Sequence, residues 1–120
     1  MEKVRAGIYV PSYRRSADTT TWKVVPGCKY VVRKTEEKLY KEAGVPHVIG
    51  VDDELICSFS KVNNWVIENA QETMLCIMDD DIESFHYRIG YTLEKIQDIE
   101  IVLDEICRML QVMYDLNIGY

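Results

Sequence analysis

Three aspartates stand side by side at the end of an apolar run in CIMDDDIESF, residues Cys76 to Phe85. Adjacent carboxylates repel one another. Such a cluster is therefore either solvated where a strand stops or neutralised by a cation. Mg²⁺ and Mn²⁺ take oxygen ligands. In sites that handle diphosphates the protein often gives one or two carboxylates, and phosphates and water complete the shell. If the strand continued, Asp79 and Asp81 would share one side and Asp80 would take the other. A turn at the strand end would bring all three near one ion. Acidic turns are common at strand ends, so spacing alone leaves both readings open.

Other residues raise paired readings of the same kind. Lys61, Asn63 and Asn64 open a helix, either as a phosphate-binding start or as an exposed capping turn. Pro11-Ser12-Tyr13-Arg14-Arg15 follows the first strand. Its arginines suit a phosphate and Tyr13 suits a base, or the loop is solvated and pairs with the many acids. Trp22, after Thr19-Thr20-Thr21, reads as core packing before a stacking surface. His47 next to Pro46 reads as structural, and His86, just past the acidic cluster, as a surface imidazole before a group approaching the metal. Asp52, Asp53 and Glu54 read as a second acidic, solvated turn before a carboxylate contact to a nucleotide. No GxGxxG, GxxxxGK[ST], nucleophile elbow or HExxH occurs, which argues against dinucleotide binding, P-loop hydrolysis and zinc proteolysis.

These residues need elements to position them. Val4 to Val10 reads as a buried strand emptying into the Pro11 loop, and Ser16 to Thr21 as a polar turn. Lys29 to Arg33 is a short strand. Thr35 is expected to cap a helix that ends near Gly44, and His47 to Val51 is a further strand. Ser58 or Ser60 caps a helix through Ala70, with Val62, Trp65 or Val66, and Ala70 at helical spacing. Thr73 to Met78, the most continuous apolar run, is expected to be a central strand. Strands separated by helices predict an α/β fold, a mainly parallel sheet with flanking helices. In such sheets ligands bind at the carboxyl ends of strands, where both the Pro11 loop and the triple aspartate fall. Thr92 is expected to cap a long C-terminal helix from Leu93 to about Leu116. Ile96, Ile99, Leu103, Ile106, Leu110 and Met113 form its a/d stripe. That stripe packs along the sheet or, in the alternative, forms a coiled-coil dimer seam.

The chain has 120 residues and a net charge of −6, and nearly half its residues are apolar. One small domain with a real core is expected, spanning residues 1–120. The acidic balance disfavours duplex binding by counterion release. Met1-Glu2-Lys3 leads into no long apolar run, so no signal peptide is expected. No segment approaches the roughly 20 apolar residues a membrane span needs. The widely spaced Cys28, Cys57, Cys76 and Cys107 read as reduced, mostly buried thiols in a cytoplasm.

Taken in order, the pieces resemble the front half of a GT-A nucleotide-sugar glycosyltransferase. The resemblance rests on four stretches: GIYVPSYRR, SKVNNWVIENA with its Lys-x-x-Asn, the apolar LCIM, and the DxD at Asp79-Asp80-Asp81. More narrowly, VPSYRRS, TTTWKVVPGCKYVVR and MDDDIESF resemble phage and TET-associated glycosyltransferases that decorate modified DNA bases. The resemblance covers nearly all 120 residues. It implies a Rossmann-like nucleotide-binding half of a GT-A fold. Pro11, Ser12, Tyr13 and Arg14 would line the nucleotide pocket, Lys61 would face the diphosphate, and Asn64 would support the helix start. Asp79 and Asp81 would hold Mn²⁺ or Mg²⁺, and Asp80 would contact the ribose or sugar. The resemblance implies a UDP-sugar donor, with a modified DNA base as acceptor once a second half supplies the acceptor site and base. It also implies a host cytoplasm if the chain is phage-encoded. No catalytic base is assignable. The chain stops where the family begins its next strand, so the resemblance implies a truncated enzyme. The rival expectation is a non-catalytic interaction protein that forms a homo-oligomer or binds a partner through the C-terminal helix.

Overall fold

A computed structural model describes residues 6–117, without the side chains of Tyr87 and Ile89. Val4 and Arg5 of the expected first strand, and residues 118–120, lie outside the described residues. Four parallel strands form the main sheet: β1 (Ala6–Pro11), β2 (Lys29–Arg33), β3 (Val48–Val51) and β4 (Met74–Ile77), in the order β3-β2-β1-β4. Parallel neighbours need crossovers. The short α1 (Thr21–Val24) lies between β1 and β2, and α2 (Glu37–Glu42) between β2 and β3. The longer α3 (Phe59–Asn69) carries the chain from β3 back across the sheet to β4.

That reversal decides the layering. Right-handed crossovers running in one direction put their helices on one face, and the return crossover puts its helix on the other. The side chains follow. Val10 of β1 and Tyr30 and Val32 of β2 are buried with Val25 and Tyr40, and Trp22 packs against them. Tyr9 and Val31, one residue out of phase, are buried on the opposite face with Val62 and Val66 of α3. Strict alternation with both faces covered is why KYVVR is apolar at every central position. The expected α/β fold with a parallel sheet, flanking helices and a long C-terminal helix is therefore present.

Three details differ from expectation. First, Thr73–Met78 does not supply a central strand: β4 is an edge of the described sheet, and β1 and β2 are central. The run is apolar because Cys76 and Leu75 pack into opposite clusters, so both faces are covered although one edge is open. Second, the C-terminal helix does not start at Leu93. Residues Thr92–Lys95 form β6, paired antiparallel with β5 (His86–Ile89) through a two-residue turn at Gly90-Tyr91. Gly90 at φ +59 occupies the first central position, where glycine suits a type II′ hairpin. Helix α4 (Ile99–Asp115) begins instead at Asp98, whose carboxylate accepts from the Glu100 N–H at 3.0 Å. Third, Thr35 caps no helix: it lies in a 3-10 turn, and its hydroxyl donates to Asp53 at 2.8 Å.

Of the expected a/d stripe, Leu103 and Ile106 pack against the first cluster, Ile99, Leu110 and Met113 are half-buried, and Ile96 lies outside α4. Ile101, Met109, Val112 and Leu116 stay exposed. Of the thiols expected to be mostly buried, Cys28 is buried and Cys76 half-buried, while Cys57 and Cys107 are exposed. Cys57 sits in the turn ahead of α3 and Cys107 on α4, so neither is enclosed by the sheet. Burial pushes the Cys28 thiol up to about 11. Among the described residues no helix is long and apolar enough to cross a membrane.

Candidate functional site

A cleft of about 320 Å³ opens where β1 and β2 end and α3 begins. Pro11, Ser12 and Tyr13 continue β1, Arg33 ends β2, and Cys57, Ser58 and Phe59 lead into α3. Asp80 closes another side, and Val31, Ile56 and Val62 add apolar surface. β1 has β2 on one side and β4 on the other, so the chain reverses its strand order here. The crevice outside the carboxyl ends at such a reversal is where open α/β sheets bind ligands.

The acidic loop after β4 is held from both ends and from beneath. Met78 and Ile82 pack into the first core cluster on either side of it. Between them the Thr19-Thr20-Thr21 run grips the backbone. Thr19 Oγ1 donates to the Asp80 carbonyl at 2.7 Å, as does the Thr20 N–H at 2.9 Å. Thr21 Oγ1 donates to the Asp79 carbonyl at 2.6 Å and accepts from the Ile82 N–H at 3.0 Å. Thr20 Oγ1 donates to the Ile82 carbonyl at 2.8 Å. Thr19 and Thr21 are buried, so these bonds are shielded from water. A polar TTT tripeptide that reads as a turn in the sequence is in fact the seat of the triple aspartate.

The three aspartates then separate. Asp80 faces the cleft, where its Oδ2 accepts from Ser12 Oγ at 2.5 Å and its Oδ1 lies 3.4 Å from Arg15 Nε. Asp79 and Asp81 are exposed and do not line the cleft. Among the described residues no three His, Cys, Asp or Glu side chains gather in a way that would hold a metal ion. The two exposed carboxylates therefore do not make an all-protein cage.

Tyr13 and Arg14 form a tight bend. Arg14 sits at φ +56, in the left-handed region, and its N–H donates to Glu36 Oε1 at 2.7 Å. The Arg33 guanidinium lies 3.9 Å from the Tyr13 ring centroid and that of Arg14 lies 4.9 Å away, so cations already engage this ring. Arg14 is not part of the cleft lining. Lys61 and Asn64 are exposed on α3 and do not line it either. The Lys61 ammonium reaches Cys57 Sγ at 3.3 Å, and its N–H is taken by the Ser58 cap at 3.2 Å. Of the residues singled out from sequence, Pro11, Ser12, Tyr13 and Asp80 therefore meet in one cleft.

Arg33, Cys57, Ser58 and Phe59 join them, and sequence reasoning left them out of the site. Arg33 was findable, since it ends a strand as Pro11 does. Phe59 was less so, because at the start of an amphipathic helix it reads as core, yet it is 72% exposed at the cleft. Comparison with protein-family models, curated proteins and solved structures finds no match to this chain.

Proposed function

We propose that the cleft binds a nucleotide sugar, with a UDP-sugar the preferred donor. The chain is then the donor-binding unit of a GT-A type glycosyltransferase acting on modified DNA bases in a cytoplasm. One observation carries this reading: two strand ends, a helix N-terminus, an exposed aromatic and an inward carboxylate converge on one cleft. The parts match the parts of the ligand. Phe59 offers a face for the base, and Asp80 accepts from a sugar hydroxyl. The first turn of α3 has N–H groups without intrahelical partners, of which the Ser58 cap takes that of Lys61. The remainder favour an anion such as a diphosphate. Asp79 and Asp81 are the residues that would hold Mn²⁺ or Mg²⁺ with that diphosphate, and such an ion supplies Lewis-acid stabilisation of a leaving phosphate.

Titration calorimetry with UDP-glucose, with and without Mn²⁺, tests the reading. It expects saturable, metal-dependent binding that weakens by roughly 5- to 150-fold in Phe59→Ala, the range of a lost base–aromatic stack. A folded chain that binds no nucleotide sugar refutes it. A second reading, an interaction module, is favoured by the outer flank of α4. There Ile101, Met109, Val112 and Leu116 are exposed, an apolar surface suited to a second copy of the chain.

A further inference from the structure

Two hydrogen-bond chains run from the buried core to Asp80, and both have a fixed direction. In the first, the Arg15 N–H donates to the Tyr40 hydroxyl at 3.1 Å, and Tyr40 meets Ser12 Oγ at 2.6 Å. The Ser12 proton is committed to Asp80 Oδ2 at 2.5 Å, so Tyr40 must be the donor to Ser12. In the second, the Trp22 backbone N–H donates to the Tyr30 hydroxyl at 3.2 Å, and Tyr30 hydrogen-bonds Thr19 Oγ1. The Thr19 proton is committed to the Asp80 carbonyl, so Tyr30 is likewise the donor. One tyrosine thus fixes the aspartate's backbone and the other its side chain. Both rings are fully buried, with centroids 6.0 Å apart, and come from different elements, β2 and α2. Burial raises both phenols above their ordinary value, so both remain donors at neutral pH.

We infer that Tyr40 is a positioning residue that acts through Ser12 to aim Asp80 into the cleft. Asp80 is then the carboxylate of the triple that meets the ligand. Tyr40 lies outside the cleft lining, so it reaches Asp80 only through its hydroxyl's bonds to Ser12 and to the Arg15 N–H. The Arg15 guanidinium sits 3.4 Å from Oδ1, a loose contact that leaves that oxygen able to accept from a ligand hydroxyl. The ligand-facing part of this inference rests on the nucleotide-sugar reading. The relay does not.

The experiment has two arms. Urea unfolding of Tyr40→Phe, Asp80→Ala and the double variant reads the relay without any ligand. Each single change breaks the same chain, so the double variant's midpoint shift should fall well short of the sum of the single shifts. Additive shifts overturn the relay, because a tyrosine that only packs would not couple to Asp80. If Tyr40→Phe fails to fold, Ser12→Ala with Asp80→Ala tests the Ser12–Asp80 link on which the relay depends, and additive shifts there overturn it. The second arm titrates UDP-glucose with Mn²⁺ into wild type and Tyr40→Phe. Binding should weaken about three- to tenfold in the variant, the worth of one lost hydrogen bond. Equal affinities overturn the positioning role. If wild type binds no nucleotide sugar, the functional reading falls with the ligand-facing role, while the unfolding cycle still decides the relay.

Discussion

Replacing Glu72 with glutamine should destabilise the protein at neutral pH and cease to matter in acid. Tyr9 and Lys29 are cross-strand neighbours in β1 and β2, and Glu72 lies just ahead of β4. The Lys29 ammonium donates to Glu72 Oε1 at 2.6 Å, and the Tyr9 hydroxyl donates to Oε2 at 2.6 Å. Burial pushes the Glu72 carboxyl up, but hydrogen bonds from Lys29, Tyr9 and its own backbone, with the Lys29 charge, outweigh it. The carboxyl is held at about 2 against an ordinary 4.5. A displacement of that size corresponds to at most about 3.4 kcal/mol at ~1.36 kcal/mol per pKa step. The Glu72 side chain is 12% exposed but that of Lys29 is 41% exposed, so water screens the pair. A stabilisation of about 1–2 kcal/mol is the reasonable expectation.

The sign follows from linkage. The folded carboxyl titrates below the unfolded one, so the unfolded state binds more protons between the two values. The stabilisation is complete above pH 4.5 and is lost as pH falls towards 2. Urea unfolding of wild type and Glu72→Gln across that range should show a gap of about 1–2 kcal/mol at neutral pH that closes in acid. Other carboxylates titrate in both proteins, so the difference isolates Glu72. A gap constant with pH, or no gap at neutral pH, refutes the reasoning. Gly7 supplies an internal check. A Cβ there would lie 2.6 Å from Glu72 Cδ, so Gly7→Ala should displace the carboxylate and abolish most of the pH-dependent gap.

Asp98→Ala should cost about 1 kcal/mol through the lost cap, and Thr92→Ala almost nothing. Thermal unfolding decides between them, and the opposite ranking would restore a helix start at Leu93. If the interaction reading holds, sedimentation should show a concentration-dependent dimer that Met109→Glu or Val112→Glu dissociates. A single monomer at all concentrations removes that reading. Leu103→Asp is the wrong probe for it, because Leu103 packs against the core and its loss would damage the fold itself.

The parallel sheet was legible because its strands carry a physical signature. KYVVR is apolar on both faces, and Ser58 precedes its helix with a side chain that accepts from Lys61 at 3.2 Å. Strand order was less legible. Apolarity reports coverage of the two faces, not of the edges, so TMLCIM reads as central although it lies at an edge. The hairpin was hidden by the stripe itself. Ile96 keeps helical spacing with Ile99 but lies outside α4, and its N–H donates to the Phe85 carbonyl at 2.8 Å. A signal was present in Ile89-Gly90-Tyr91-Thr92, a glycine between β-formers.

The site was half legible for a similar reason. The carboxyl-end rule finds Pro11 to Tyr13 and the triple aspartate, because position along a strand can be read locally. Which of three adjacent aspartates turns inward depends on Thr19–Thr21, Tyr30 and Tyr40, contacts from 28 to 68 residues apart in sequence in the case of Ser12 with Tyr40 and with Asp80. No local pattern encodes that.

Mapping the ligand on the chain separates a nucleotide-sugar cleft from an interaction face. Adding UDP-glucose and Mg²⁺ to ¹⁵N-labelled protein should shift the amides of Ser12, Tyr13, Arg33, Ser58, Phe59 and Asp80 together and saturably. Those around Glu72, at the other end of the strands, should stay in place. Shifts confined to α4, or none at all in a well-dispersed spectrum, would contradict the account.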